Sequence, residues 1–196
     1  GTSLMRSRNR ASYSSGIWIV WQTKVEGTNE AFITRHIGLP IPKWEDPMIS
    51  LYIDIDGVLL RRTGRKDFNG RNEFEIAPGA YEFMDWCIER FDCFWLTSRS
   101  HDGTYAGIEQ AFRFAIPAVN LPVEIKDRIH AIKPAAWPRA KIKGIDISKE
   151  FLWLDDDPDD ASIKELERLG MMKRWVKACV DRNPDHLEKV KSLLCC

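Results

Sequence analysis

The stretch LYIDIDGVLL, residues 51–60, is the most informative part of the chain for its fold class. It joins an apolar run to two carboxylates, Asp54 and Asp56, and after Gly57 it returns to apolar residues. A near-continuous apolar run is typical of a strand that is covered on both faces of a parallel sheet. The stretch therefore predicts a buried strand over residues 49–55 that carries carboxylates at its carboxyl end.

Strand and helix patterns alternate downstream of this first strand. Continuous apolar runs indicate the strands, and apolar residues at helical spacing indicate the helices. The further predicted strands are 93–97, 151–155 and 172–178, and the predicted helices are 78–91, 103–115, 160–170 and 183–194. This alternation predicts an α/β protein with a mostly parallel central sheet.

Residues 1–48 differ in composition from the rest of the chain. The first residues are polar, basic and rich in serine, which is typical of disorder, and residues 39–47 contain three prolines. A strand is predicted at residues 17–25. We expect a partly disordered N-terminal extension over residues 1–48 and one α/β domain over residues 49–196.

Charge, hydropathy and cysteine content argue against several classes of protein. Lys+Arg and Asp+Glu are equal at 29 each, so the chain has no global positive field for nucleic acid. Its apolar runs are shorter than a membrane span requires. The five cysteines form no C-x-x-C pair, which indicates reduced thiols rather than a zinc site. We expect a cytoplasmic protein without a membrane partner.

Polar residues follow each of the first three predicted strands. These residues are Asp54 and Asp56, then Thr97, Ser98 and Arg99, then Asp155, Asp156 and Asp157. In an open parallel sheet the ligand site lies beyond the carboxyl ends of the strands. Carboxylates gathered there repel one another unless a cation lies among them. Because all the ligands are oxygens, the predicted cation is Mg²⁺.

In this order the residues resemble the four motifs of the haloacid dehalogenase (HAD) superfamily of phosphohydrolases. The resemblance rests on D-x-D-G-V-L, a strand that ends in Thr97, a downstream lysine, and a strand that ends in Asp155-Asp156, over about residues 49–180. Through W-L-D-D-D and its short insertions, the chain also resembles the small HAD domains associated with bacterial RNA-repair proteins. The resemblance implies a three-layer Rossmann-like fold with minimal or no cap domain.

The resemblance also implies roles for these residues. Asp54 would be the nucleophile that forms an aspartyl-phosphate. Asp56 would protonate the leaving oxygen and then deprotonate the attacking water. Thr97 and Ser98 would bind phosphoryl oxygens. The implied Mg²⁺ ligands are Asp54, Asp56, Asp155 and Asp156. Asp160 is expected to cap the helix that follows, and it is the second choice for an acid of the site, since in some relatives a later acid of this loop contributes.

Two assignments stay open at this point. The lysine that neutralises charge between Asp54 and the phosphoryl group is Lys133, Lys141 or Lys143, and Lys141 is preferred because its segment runs towards the last acidic strand. Arg99 would either bind a substrate phosphate through its guanidinium fork or pair with a surplus carboxylate.

The expected function is hydrolysis of a phosphomonoester by a Mg²⁺-dependent enzyme. With a minimal cap the site would be open, which suits the phosphorylated end of an RNA or DNA strand. The insertion after Asp56 carries a basic cluster where nucleic-acid phosphates could dock: Arg61, Arg62, Arg65, Lys66 and Arg71. The alternatives are a nucleotidase-like phosphatase of small molecules and a binding module without turnover. The sequence predicts no oligomeric state.

Overall fold

The chain alternates strands and helices in a computed structural model that describes residues 48–67, 69–116, 119–183 and 185–194. These residues belong to a unit that spans residues 47–196. The predicted extension, its strand at 17–25 and the proline-rich residues 39–47 lie outside the described residues.

The elements are short and closely spaced. The strands are β1 (Ser50–Ile53), β2 (Leu60–Lys66), β3 (Asn72–Ile76), β4 (Asp92–Trp95), β5 (Lys133–Pro134), β6 (Phe151–Asp155) and β7 (Trp175–Lys177). The helices are α1 (Ala80–Arg90), α2 (Ala106–Ala115), α3 (Val123–Ala131), α4 (Asp160–Arg168) and α5 (His186–Leu194). Two short 3₁₀ helices span Lys141–Gly144 and Met172–Arg174. Among the described residues, no helix is long and apolar enough to cross a membrane.

Five of the described strands form a parallel sheet in the order β5-β4-β1-β6-β7. The α/β class and the parallel sheet that the sequence predicts are confirmed. From β1 the chain adds β4 and β5 on one side and later adds β6 and β7 on the other. The order of strands therefore reverses between β1 and β6, and such a switch point is where open α/β sheets bind their ligands.

Helices cover both faces of this sheet. Leu51 and Ile53 of β1 point into a core that α1, α2, α3 and α5 complete. Tyr52 points to the opposite face, where it packs with Trp153 of β6 and with Leu166 of α4. Burying each large apolar side chain stabilises the fold by about 1.5–3 kcal/mol. This two-sided burial explains why β1 reads as a continuous apolar run.

Two features differ from the sequence prediction. The insertion after Asp56 is an antiparallel hairpin of β2 and β3. The polar residues of these strands interrupt the apolar alternation that would have predicted them. Its turn is closed by the Asp67 carboxylate, which accepts the N–H groups of Asn69 and Arg71, both at 2.8 Å. The segment between Thr97 and Lys141 also contains α3 and the two-residue β5, which were not predicted. The two buried positions of α3, Ile125 and Ile129, give little apolar periodicity.

Candidate active site

The sheet brings Asp54 and Asp155 together at the switch point. Asp54 directly follows β1, and its N–H donates to the Leu154 carbonyl at 2.9 Å. Asp155 is the last residue of β6, the strand paired with β1. Both carboxylates are buried. The pairing of β1 with β6 therefore places two acids side by side below the protein surface.

Lys141 joins these two acids. Its Nζ donates to Asp54 Oδ2 at 2.7 Å and to Asp155 Oδ2 at 2.6 Å, and the lysine is itself buried. The other candidates lie elsewhere: Lys133 pairs with Asp92 at 2.6 Å, and Lys143 pairs with Glu165 at 3.4 Å. Among the three lysines considered, Lys141 is the one that contacts Asp54.

The start of α4 fixes the segment that carries Lys141. The Asp159 side chain accepts the N–H of Lys141 at 3.1 Å, and the Ser162 hydroxyl accepts the N–H of Ile142 at 3.0 Å. Asp159 also accepts the N–H of Ser162 at 2.9 Å, so Asp159 caps the helix. The expectation that Asp160 caps α4 is wrong, because Asp160 is already the first helical residue.

Asp156 completes a group of three acids. One carboxylate oxygen each from Asp54, Asp155 and Asp156 lies within 4.8 Å of the others. Gly57 makes room for this arrangement, because a Cβ on Gly57 would lie 2.2 Å from Asp156 Oδ2. Gly57 also has φ +76°, a conformation that glycine adopts easily. The glycine that follows the two acids thus lets Asp156 approach them.

The acid group carries more negative charge than its surroundings compensate. Burial, and then the charge of Asp54, raise the pKa of Asp155 to about 7 and that of Asp156 to about 6. Burial also raises the pKa of Asp54, although Lys141 lowers it. Burial alone would lower the pKa of Lys141, but its two carboxylate partners outweigh burial and raise it. Lys141 pairs with two of the three carboxylates, so a bound cation would relieve the remaining negative charge.

Thr97 and Ser98 follow β4, the other neighbour of β1. Thr97 is fully buried, its hydroxyl accepts the Arg99 N–H at 3.3 Å, and its carbonyl accepts the indole N–H of Trp137 at 3.0 Å. Burial raises the pKa of Asp54, and the Thr97 hydroxyl is among the groups that lower it. Ser98 is exposed in the turn that follows. Thr97 therefore adjoins Asp54, with Ser98 at the surface.

Asp56 has a different environment from the other acids. Its carboxylate accepts two hydrogen bonds from Arg99, from Nε at 2.8 Å and from Nη2 at 3.1 Å. Of the two alternatives for Arg99, the structure contains the pairing with a carboxylate. The Asp56 side chain lies outside the described group of acids that could share one ion, although the sequence places it among the Mg²⁺ ligands.

The basic cluster of the insertion is largely paired. Arg61 contacts Glu75 at 2.6 Å, and Arg65 contacts Glu73 at 2.8 Å, both across the hairpin. Arg62 pairs with Asp181, which follows β7. These contacts reduce the positive charge that the hairpin offers to an approaching nucleic acid.

Sequence reasoning missed the residues that support this site. Asp159 and Ser162 hold the Lys141 segment, and the indole of Trp175 donates to the Asp155 carbonyl at 3.0 Å. An aspartate directly before a helical pattern is a capping signal, and Asp159 stands there, but its contact with the Lys141 segment is tertiary. Comparisons with protein-family models and with curated proteins found no match to this chain.

Proposed function

We propose that the protein is a Mg²⁺-dependent phosphomonoester hydrolase of the haloacid dehalogenase type, with Asp54 as its nucleophile. The observation that carries this proposal is the contact of Lys141 with both Asp54 and Asp155 at the switch point of the sheet. Phosphoryl transfer depends on positive charge placed around the transferring group. A purely structural ion pair needs one acid, whereas Lys141 lies beside a group of three acids. The arrangement therefore supports phosphoryl transfer better than a purely structural role.

The reaction would proceed in two balanced steps. In the first, an oxygen of Asp54 forms a bond to phosphorus while the bond from phosphorus to the leaving oxygen breaks, and Asp56 in its protonated form gives that oxygen its proton. In the second, Asp56 takes a proton from water, whose oxygen attacks the phosphorus. The bond between phosphorus and Asp54 then breaks, which releases inorganic phosphate and restores the carboxylate.

The surrounding residues would orient the phosphoryl group. Lys141 would offset the negative charge that Asp54 and the phosphoryl oxygens bring together. Thr97 and Ser98 would donate hydrogen bonds to phosphoryl oxygens from the end of β4. Arg99 could bind the same group if it exchanged its present partner, Asp56.

The acid group fits Mg²⁺. Asp54, Asp155 and Asp156 would hold the ion, and all three offer oxygen ligands. The three carboxylates lie close enough together to share one ion, since one oxygen of each lies within 4.8 Å of the others. When bound, the ion would supply positive charge to the phosphoryl oxygens.

The narrower proposal is that the substrate is the phosphorylated end of an RNA or DNA strand. It rests on the basic hairpin beside Asp56, and the pairing of Arg61 and Arg65 with glutamates counts against it. If the hairpin binds backbone phosphates, oligonucleotides with a terminal phosphate should be better substrates than mononucleotides, and this advantage should shrink as salt rises. A mononucleotide that is the better substrate at every salt concentration would instead favour the nucleotidase alternative.

The broader proposal is tested by a steady-state assay with an aryl phosphate. We expect hydrolysis with Mg²⁺, none in excess EDTA, and none by Asp54→Asn, a variant that keeps the size of the side chain. Uncatalysed hydrolysis of phosphate monoesters is extremely slow, so background does not obscure the loss. Full activity of Asp54→Asn in Mg²⁺ would overturn the nucleophile assignment, and full activity in EDTA would overturn the metal requirement.

A further inference from the structure

Arg99 connects Asp56 to the β2–β3 hairpin. Its guanidinium makes two hydrogen bonds to the Asp56 carboxylate and lies over the ring of Phe74, with Cζ 5.3 Å from the ring centroid. Phe74 belongs to β3, at the middle of the hairpin. The acid assigned to proton transfer is thus linked to an insertion that contributes no residue to the group of Asp54, Asp155 and Asp156.

The backbone of Arg99 has little freedom to move. Its N–H donates to the Thr97 hydroxyl at 3.3 Å. Its carbonyl packs against the first turn of α2, where a Cβ on Gly107 would lie 1.8 Å from the Arg99 oxygen. The close approach requires glycine at position 107. The Arg99 side chain therefore reaches Asp56 from a backbone that is held in place.

The hairpin that supports Arg99 is itself anchored. Phe74 is partly buried, and β3 packs against α2. Arg62, which pairs with Phe74 across the hairpin, also lies over the Phe74 ring at 5.9 Å. The N–H of Arg62 donates to Asp181 Oδ1 at 2.6 Å, and its guanidinium pairs with the same carboxylate. These contacts hold the ring in place against the guanidinium of Arg99.

We propose that Arg99 is a positioning residue that orients Asp56 for proton transfer to the leaving oxygen, and that Phe74 holds Arg99 in that position. The inference rests on the proposed function, because it concerns the same reaction. Two parallel hydrogen bonds fix both the position and the plane of a carboxylate. Catalytic groups must be held within about 0.5 Å of their productive position. Without Arg99, the partly exposed Asp56 side chain would be free to turn away.

Substrates that differ in leaving group test this role. An alkyl phosphate needs a proton on its leaving oxygen, whereas dinitrophenyl phosphate releases a stable phenolate without one. The test compares the single-turnover rate at which each leaving group is released by the wild type, Arg99→Ala, Arg99→Lys and Phe74→Leu. The matched control is Arg128→Ala, which breaks a two-bond arginine–carboxylate pair with Asp85 that does not involve Asp56.

The proposal predicts a selective loss. Arg99→Ala should release the alkyl group about 100-fold more slowly, the effect of an ångström-scale misplacement, and should release dinitrophenolate at nearly the wild-type rate. Arg99→Lys should recover part of the alkyl rate, Phe74→Leu should show a smaller selective loss, and Arg128→Ala should match the wild type. In the Asp56→Asn background, Arg99→Ala should have no further effect on the alkyl rate, because the two residues act as one unit.

Other outcomes overturn the inference. Equal losses on both substrates would indicate general damage to the site. If only the substrate concentration for the half-maximal single-turnover rate rises, Arg99 is a phosphate-binding residue. An unchanged or faster alkyl rate in Arg99→Ala would also contradict the role, because Arg99 would then do no more than hold Asp56 in its ionised form. A wild type that hydrolyses neither phosphate would overturn the proposed function itself, which distinguishes that failure from the others.

Discussion

The carboxylate of Asp159 accepts the backbone N–H of Lys141 at 3.1 Å while it caps helix α4. One side chain therefore ties the start of a helix to the segment that carries the buried lysine. The lysine contacts Asp54 only when this segment lies in the observed place. The relationship makes Asp159, which binds none of the acids, a determinant of their geometry.

Replacement of Asp159 should damage both stability and activity. Asp159→Ala removes a helix cap, which costs about 1 kcal/mol of unfolding free energy. It also releases the Lys141 backbone, so we expect kcat to fall about 10- to 100-fold through misplacement of the ammonium. Urea unfolding and steady-state kinetics measure the two effects. Asp146→Ala is the control, since Asp146 closes an exposed turn through Ser148 and does not contact Lys141. A stability loss with unchanged kcat would contradict the positioning role.

Removal of the Lys141 charge should strongly destabilise the metal-free protein. Lys141→Met leaves Asp54 and Asp155 buried without their partner, and breaking such a pair costs about 3–5 kcal/mol. Lys143→Met is the matched control, because Lys143 is two residues away, exposed, and paired with surface Glu165. Urea unfolding in EDTA at neutral pH should show a large loss for the first variant and little change for the second. Equal stability of the two variants would contradict the account of the buried charges.

Stability should depend on pH and Mg²⁺ together. The pKa values of Asp155 and Asp156 are raised from 3.8 to about 7 and about 6 in the fold. The folded protein thus binds protons more tightly than the unfolded chain, so these groups favour folding at low pH, and that contribution is lost as pH rises from about 4 to 7. Mg²⁺ needs the deprotonated acids, so it should raise the Tm more at pH 8 than at pH 5.5.

Thermal unfolding in EDTA and in Mg²⁺ at the two pH values measures this linkage. At 100 times its Kd, Mg²⁺ should stabilise the protein by about 2.7 kcal/mol at the higher pH. Asp156→Asn, which removes one of the three acids, should weaken the Mg²⁺ effect. A Tm shift of the same size at both pH values would show that binding does not displace protons from these carboxylates.

The room that Gly57 leaves for Asp156 should be essential. Gly57→Ala places a Cβ 2.2 Å from Asp156 Oδ2, so the carboxylate must move out of the acid group and the Mg²⁺ requirement should rise at least 10-fold. Gly64→Ala is the control, because Gly64 has a similar φ of +79° and its Cβ would meet no atom of the described residues within 4 Å. Both variants carry the backbone cost of about 1–2 kcal/mol. Mg²⁺ titration of activity separates them, and equal Mg²⁺ requirements would contradict the steric argument.

The residues that the sequence predicts well are those that follow buried strands. Asp54, Thr97 and Asp155 each end an apolar run, and parallel pairing alone brings such positions to one edge of the sheet. Lys141 could only be preferred over its neighbours, since its place depends on a 3₁₀ helix that local pattern does not predict. The contacts of Asp159 with Lys141 and of Arg99 with Asp56 are tertiary, and long side chains select such partners through packing that one sequence does not reveal. The hairpin was missed because β2 is mostly charged after Leu60 and the apolar alternation of β3 covers only Phe74 and Ile76.

If Asp54 is the nucleophile, it must become covalently phosphorylated during turnover. In Asp56→Asn with Mg²⁺ and dinitrophenyl phosphate, the first step needs no proton donor and the second lacks its base, so the phosphoenzyme should accumulate. Mass spectrometry of the acid-quenched protein should show the addition of one phosphoryl group, mapped to the peptide with Asp54 and removed by hydroxylamine. Turnover without this adduct, or an adduct on another residue, would contradict the account.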